Sequence, residues 1–543
     1  MDIISRSKAF NKTLHNLIIL ADDVGTGDVQ VYWNNSGIVN MTNIRRLANM
    51  GVTFLDAHAS PLCAPSRYML LSGNYQHRGR IAAGTWDITG DHNQFQDHQK
   101  SIAEALRDKG NYSTAVFGKW HVRGKIPENH ANETGTGTAK TELNKLTYEG
   151  YDWSQPLIEG PQDIGFTSSY ITPNGIQQSP YSFLRNGYLT TNVSEARFWR
   201  KGTYNQTCGE SRIQRKGEGD PDWDSTAYNM ILINETEAFL DNHIANKTGD
   251  DPFFAYVALG AVHGPHSPPD HYLDGTVIAG RYPSAHMDML FEMDKAVGSL
   301  VSMVEDRGLA KNTIIIFASD NGGVMPAKDS FEYGHDSHGP LRGSKGEVYE
   351  GGHRIPLIFR WDGEFPAGEI RSKLVSITDI YETICELIGI ESPSRSAQDS
   401  ISFADYIYSG NLTLGLRKWY GAWSYNKVRL TAESIRFKNL KAVRHRLGNG
   451  KVKVEVYDLE QDISESTNLK RIIPKKDLRK VLNKMRILGP CPTRDRKNSF
   501  LLETTGIKVQ CNFFGDNLTN CDVYDEGEVY CPTFCSRFEG TCS

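Results

Sequence analysis

Four short runs of residues constrain this chain more than any other feature. Leu17-Ile18-Ile19-Leu20-Ala21, Ser113 to Lys119, Phe253 to Leu259 and Thr313 to Ser319 are apolar or β-rich, each leads into polar residues, and helical patterns lie between them. Runs of this length bounded by turn-forming residues predict buried strands. Strands alternating with helices predict an α/β domain on a large mixed, mostly parallel sheet flanked by helices, with functional groups gathered at strand C-termini. The helices carry their own punctuation: Ser101-Ile102-Ala103-Glu104 has capping-box spacing with Gly110 as the expected C-cap, and Ile380, Ile384, Leu387 and Ile388 repeat with a helical period.

The chain's 543 residues suffice for one large core and a smaller unit. Asn132 to Pro161, rich in Gly, Thr and polar residues, predicts a surface excursion placed to shape a substrate cleft. After about residue 400 the pattern changes. Ile435 to Val443 and Lys451 to Leu459 read as antiparallel strands around the turn Gly448-Asn449-Gly450. The expected division is a main α/β domain over 14–400, an α+β subdomain with a small antiparallel sheet over 401–488, and a cysteine-rich tail over 489–543. Lys470 to Arg486 reads as a solvated helix face rather than a partner surface.

With 60 Lys+Arg against 65 Asp+Glu and a net charge of -5, the chain lacks the basic footprint of a nucleic-acid binder. Its longest apolar run, Phe253 to Val262, falls well short of the roughly 18–20 residues that cross a bilayer. The first residues show no signal-peptide core, yet eleven Asn-x-Ser/Thr sites (from Asn11, Asn34, Asn40, Asn111, Asn132, Asn192, Asn205, Asn234, Asn246, Asn411 and Asn517) are present. About four would arise by chance. Six of the nine cysteines (Cys491, Cys511, Cys521, Cys531, Cys535, Cys542) crowd the tail, as in a disulfide-stapled segment; a zinc site is disfavoured because the tail has no His. Both signals point to the secretory pathway, to an extracellular or lysosome-like compartment, with a leader removed or lying upstream of Met1.

The residues richest in chemistry are Ser60-Pro61-Leu62-Cys63-Ala64-Pro65-Ser66-Arg67, a cysteine just before a helical pattern. A helix N-terminus presents free N–H groups and partial positive charge, so a side chain there can meet an anion. A lone Cys is more often core packing or half of a disulfide. Here Cys63 to Arg67 matches Cys-x-Pro-Ser-Arg and continues into Leu70-Leu71-Ser72-Gly73, and in this the chain resembles the type I sulfatases of the alkaline-phosphatase-like superfamily. The resemblance extends through Asp22-Asp23, Gly118-Lys119-Trp120-His121, Val262-His263-Gly264-Pro265, Ser319-Asp320-Asn321-Gly322-Gly323 and Leu341-Arg342-Gly343-Ser344-Lys345-Gly346, and covers about Asn16 to Leu469. Taken singly, Asp22-Asp23 reads as a turn and each Lys as a surface residue. His266 is a nearby alternative to His263, while His335, His338 and His353 read as structural or rim residues.

The resemblance implies that Cys63 is oxidised to formylglycine by a formylglycine-generating enzyme. Asp22, Asp23, Asp320 and Asn321, with residue 63, would form an oxygen-rich site for Ca²⁺ or Mg²⁺. It further implies that one hydroxyl of the hydrated aldehyde attacks sulfur, that Lys119 and Lys345 neutralise sulfate oxygens, and that Arg67 holds the hydrate. His263, with Lys345, is the candidate that protonates the leaving alcohol, and His121 the candidate base that lets the aldehyde re-form. The expected activity is hydrolysis of a sulfate monoester, on a sulfated small molecule or glycan, with a sulfated carbohydrate preferred. Two alternatives stand beside it: a phosphodiester or phosphonate monoester hydrolase of the same superfamily, and a non-catalytic secreted glycoprotein. From Gly165-Phe166 to Tyr181 no residue is carried over, because Gly175, Gln177, Gln178 and Ser179 depart from what some relatives place there.

Overall fold

The computed structural model describes residues 14–33, 38–86, 88–127, 151–200, 215–246, 251–324, 332–410, 416–426 and 429–488, with the backbone of four short strands between 501 and 530. A ten-stranded mixed sheet forms the centre. Within it β1 (His15–Ala21) lies parallel to β5 (Phe253–Ala258) on one side and to β6 (Thr313–Ser319) on the other. Beyond β5 the parallel run continues through β3 (Ser113–Lys119) and β4 (Ser168–Thr172). Beyond β6 the sheet turns antiparallel, through β7 (Leu357–Arg360) and then β2 (Val52–Phe54). Five adjacent parallel strands therefore open their C-terminal ends on one edge.

The central strands are buried on both faces, which is why they read as continuous apolar runs rather than as alternating ones. Successive residues go to opposite sides. Ile18, Leu20, Phe254, Tyr256, Ile314 and Ile316 pack with α2 (Cys63–Ser72), α3 (Ile102–Gly110) and α6 (Asp379–Ile388). Leu17, Ile19, Phe253, Ala255, Ile315 and Phe317 pack with α1 (Thr42–Asn49), α4 (Tyr228–Asn246) and α5 (Ala285–Asp306). The capping box forms: Glu104 N donates to Ser101 Oγ at 3.0 Å and Ser101 N to Glu104 Oε2 at 3.1 Å. The C-cap differs from expectation, because the helix runs through Gly110 and Asn111 takes the left-handed position at φ 56°. Asn tolerates that conformation, and a Cβ at Gly110 would meet the Tyr112 ring at 2.8 Å.

The C-terminal part is a four-stranded antiparallel meander of β8 (Trp419–Asn426), β9 (Arg429–Phe437), β10 (Leu440–Arg446) and β11 (Val452–Asp458). The strand expected over Ile435 to Val443 is two strands, broken at Lys438, which turns the chain with a φ of 53°. Gly448 to Gly450 joins β10 to β11 as expected. Helix α7 (Lys475–Leu488) lays Leu478, Val481 and Leu482 on Ile435, Ala442 and Val456, leaving Lys475, Lys476, Arg479 and Lys480 exposed. Charge ties this sheet to the main domain: Arg436 donates to Asp56 at 2.6 Å and Lys441 to Glu350 at 2.9 Å.

Cys63 and Cys385 are free thiols. Cys208, the six tail cysteines and most of the 132–161 excursion lie outside the described residues. Among the described residues no helix is long and apolar enough to cross a membrane.

Candidate active site

Four parallel strands deliver side chains to one edge of the sheet. Asp22 and Asp23 follow β1, Lys119 ends β3 with His121 two residues on, His263 lies beyond β5, and Asp320 and Asn321 follow β6. The turns after β1 and β6 interlock, with Asp23 N donating to Asp320 Oδ1 at 3.2 Å and Val24 N to Ser319 Oγ at 3.0 Å. Glycine is required behind them: a Cβ on Gly25 would lie 1.9 Å from the Ser337 carbonyl oxygen. Cys63 opens α2, where Leu62 is extended and no side chain caps the helix, so free N–H groups surround it. The loop bearing Lys345 is clamped between these parts, its own N–H on the Gly323 carbonyl at 3.1 Å and that of Gly346 on the Pro61 carbonyl at 2.7 Å.

The candidate catalytic and metal-binding residues singled out from the sequence all converge here. One ligand atom each from Asp22, Cys63 and Asp320 lie within 4.8 Å of one another, as do those from Asp22, Asp23 and His263. Lys119 Nζ donates to Asp22 Oδ2 at 2.6 Å, and Lys345 Nζ to Asp23 Oδ1 at 2.5 Å. Arg67 spans the floor, donating to Asp320 Oδ2 at 2.7 Å and to the Lys119 carbonyl at 2.8 Å. His121 Nδ1 is 3.4 Å from Cys63 Sγ. Asp23 and His121 both hold positive φ, 66° and 54°, a conformation uncommon away from glycine and costly unless the surroundings impose it. Lys119 is fully buried, whereas the side chains of Lys345 and His263 keep 15% and 14% of their exposure and so face the entrance.

Electrostatics follow from three carboxyls meeting three cationic groups out of water. Burial opposes ionisation of Asp22, but Lys119, His263 and Arg67 override it and hold the carboxyl well below its usual range. Asp23 is likewise lowered, Lys345 outweighing burial. Asp320 goes the other way, pushed up to about 6 by burial and the charge of Asp22 despite Arg67. Burial, then Lys119 and Arg67, drive His121 far down, and burial with Lys345 lowers His263 to about 4. Burial raises the Cys63 thiol, against the pull of Lys119 and Lys345.

These residues fit a divalent cation. Asp22 Oδ1 and Asn321 Oδ1 are buried oxygens without a hydrogen-bond partner, both obligate acceptors, beside a third carboxylate short of compensating charge. A separate group, His58, Glu350 and His353, is equally compact, yet Arg354 at 2.6 Å and Lys441 at 2.9 Å already take both Glu350 oxygens. That cluster is a neutralised ion network.

Sequence reasoning read His335 and His338 as structural or rim residues, as they are, but did not find Asp28 or what these groups hold. Asp28 accepts from Gly25 N at 2.7 Å and pairs with His335 at 2.8 Å, steadying the turn after the two acids. His338, placed among structural residues, holds the Gly323 carbonyl at 2.9 Å. Glycine spacing hinted at tight turns; no local signal named the partners.

A parallel sheet whose C-terminal edge gathers acids, lysines and a cysteine at a helix N-terminus has the architecture of the alkaline-phosphatase-like hydrolases. The chain belongs to the sulfatase family, the sulfuric ester hydrolases: residues 15–390 match the Sulfatase family model, and 344–487 match the C-terminal model of N-sulphoglucosamine sulphohydrolase. It is 27% identical over 518 residues to an N-acetylgalactosamine-6-O-sulfatase of Bacteroides thetaiotaomicron, covering 87% of this chain and 92% of that one. It is 29% identical to the N-acetylgalactosamine-6-sulfatase of Sus scrofa, where the match takes in 73% of this chain and 66% of the pig protein. In fold it resembles a solved structure from work on glycosaminoglycan metabolism by Bacteroides thetaiotaomicron, at TM-score 0.70 and 24% identity, covering 88% and 99% of the two chains. Formylglycine and a divalent cation are general equipment of the family.

Proposed function

We propose that this sulfatase removes sulfate from a sulfated carbohydrate, with residue 63, as formylglycine, at the reacting centre. The carrying observation is the convergence of Cys63 with Asp22 and Asp320 within 4.8 Å, beneath Lys119 and Lys345. The two N-acetylgalactosamine-6-sulfatase relatives point to a 6-sulfated amino sugar as the first ester to try. When present, the aldehyde hydrate at position 63 and a cation held by Asp22, Asp23, Asp320 and Asn321 supply a nucleophilic oxygen and a strong local positive charge.

The chain's own groups account for the rest. Three acids against three cationic groups leave the centre near neutral, so a bound divalent ion makes it net positive and suited to an anionic ester. Lys119 and Lys345 neutralise sulfate oxygens, Lys345 from the accessible side; a donor of this kind contributes about 2.7–4 kcal/mol in the transition state. Arg67 keeps Asp320 and the end of β3 in register. His121, held neutral, accepts a proton from the side chain at position 63. Gly264's carbonyl can only accept, so His263 Nδ1 carries its hydrogen at 2.6 Å, and Nε2, 3.7 Å from Asp23 Oδ2, is the nitrogen that can meet the substrate. The negative charge of the ester favours protonation there, and Nε2–H gives its proton to the departing alcohol.

A secretory setting is supported by the glycosylation sequons. Asn40, Asn111, Asn192, Asn234 and Asn246, the ones among the described residues, are all exposed, whereas Asn16, Asn74, Asn174, Asn229 and Asn321, which start no sequon, are buried.

The test pairs mass analysis of the Cys63 peptide from the natural host with a desulfation screen over defined sulfated sugars, N-acetylgalactosamine 6-sulfate first. An aldehyde at position 63 and release of sulfate from a sugar are expected. An unmodified thiol, or turnover of phosphate diesters and phosphonates in preference to every sulfate ester, would overturn the reading.

A further inference from the structure

The segment that carries His263 is fastened from below by two residues in contact with neither the acids nor the cysteine. His263 N donates to the Gly260 carbonyl at 3.0 Å, and Gly260 N donates to Asn229 Oδ1 at 2.9 Å. Asn229 stands in the first turn of α4 and is buried. Its other end is fixed too: Nδ2 donates to Glu292 Oε1 at 3.0 Å and to Oε2 at 2.9 Å. Glu292 lies on α5, 1% exposed, with no ion pair among the described residues. The adjoining Tyr228 ring closes the space under the loop, since a Cβ on Gly260 would touch it at 2.8 Å. The same segment is tied to the acids, Val262 N to the Asp22 carbonyl at 2.6 Å and Asp22 N to that of Ala261 at 2.9 Å.

A buried carboxyl whose one partner is an amide is a poor device for stability. Leu232, Ile233, Met289 and Met293 on the same two helices belong to the apolar core, Tyr272 being the other ionisable group that feels Glu292, and an apolar pair of similar volume would hold α4 to α5 at least as well. What such a pair lacks is an acceptor aimed at Gly260 N, and an amide alone, free to rotate, would not aim it. Glu292 removes that freedom by engaging the amino end, so the oxygen end must face Gly260.

We infer that Asn229, oriented by Glu292, is the positioning residue that sets His263 against the leaving oxygen of the ester. The inference rests on His263 being the group that protonates that oxygen. Displacement of a reacting group by about 1 Å costs on the order of a hundredfold in rate, so losing this strut should lower kcat and leave KM nearly unchanged.

The experiment is a double-mutant cycle of Asn229→Ala and His263→Ala in the full chain, read as kcat and KM on N-acetylgalactosamine 6-sulfate, or on an alkyl sulfate if that sugar is not turned over. Asn229→Ala is expected to lower kcat about 10- to 100-fold. In the His263→Ala background it should add little, because residues acting through one another are non-additive. Glu292→Gln, which keeps the acceptor, should retain near-native kcat. Losses that multiply, or a KM effect without a kcat effect, would overturn the inference. Should Asn229→Ala fail to accumulate, Asn229→Leu carries the same cycle, since it keeps the volume and loses the acceptor aimed at Gly260 N. A leaving-group series on His263→Ala tests the underlying reading separately: its loss should be large on alkyl sulfates and small on 4-nitrophenyl sulfate. A flat series would refute His263 as the acid, while the cycle still decides whether Asn229 acts through His263.

Discussion

Lys345 and Asp23, 322 positions apart in sequence, meet in an ion pair of 2.5 Å at the C-terminal edge of the sheet. The contact exists because the lysine's loop is held by its backbone between the turn after β6 and the segment before Cys63. Lys345 is therefore both the partner of a candidate metal ligand and, through its residual exposure, a cation facing the entrance.

Replacing Lys345 by Ala should lower kcat on an aryl sulfate about 10²- to 10³-fold, the usual effect of deleting one transition-state donor. Lys345→Arg should recover only part, because a planar fork does not reproduce a point charge. Steady-state kinetics with native-like circular dichroism checks both; equal kcat for Ala and native enzyme would remove Lys345 from the mechanism.

Chelation should lower both activity and the melting midpoint, and Ca²⁺ or Mg²⁺ should restore them, with a midpoint that climbs with ion concentration as ligand linkage requires. The ground is the pair of buried acceptors without partners, Asp22 Oδ1 and Asn321 Oδ1. Asn321→Ala should demand more ion for the same midpoint. A melting curve indifferent to both chelator and ion would contradict the site.

Cys63→Ser supplies one hydroxyl where the aldehyde hydrate supplies two. The variant should take up a single sulfo group and stop, visible as a mass increase on the peptide containing residue 63 after incubation with substrate. Repeated turnover at the native rate would show that the aldehyde is dispensable.

Stability should carry a pH signature from Glu292. Burial, opposed only by Asn229, pushes its carboxyl from 4.5 up to about 8. Between those values the native chain keeps a proton that the unfolded chain has lost, so the contribution is whole below the lower value and drains away as pH rises to the upper. The slope is about 1.4 kcal/mol per pH unit. His15 and His77, lowered by burial to about 4 and about 3, act oppositely on the acid side. They are common to both proteins, so urea unfolding of Glu292→Gln beside native should show a flatter loss from pH 5 to 8. Parallel curves would mean that Glu292 is ionised in the native state.

Local sequence was enough to locate β3, β5 and β6 within a residue and β1 within two, the capping box at Ser101 and the helix over Asp379–Ile388, since burial on both faces, hydrogen-bonded caps and a 3.6-residue period each leave a mark on a few neighbouring residues. The acids, lysines and histidines of the site were legible because each stands directly at a strand end or in a short motif. Tertiary structure decided what no short window contains. It set which oxygens Lys119, Lys345 and Arg67 engage, the left-handed backbone of Asp23 and His121, and the break at Lys438. It alone brought Asn229 and Glu292 under His263, for in sequence they are ordinary polar residues of two helices. The physical reason is range: strand and helix formation is settled by neighbours along the chain, while charge compensation and the aim of a side chain depend on groups that meet only after the sheet has closed.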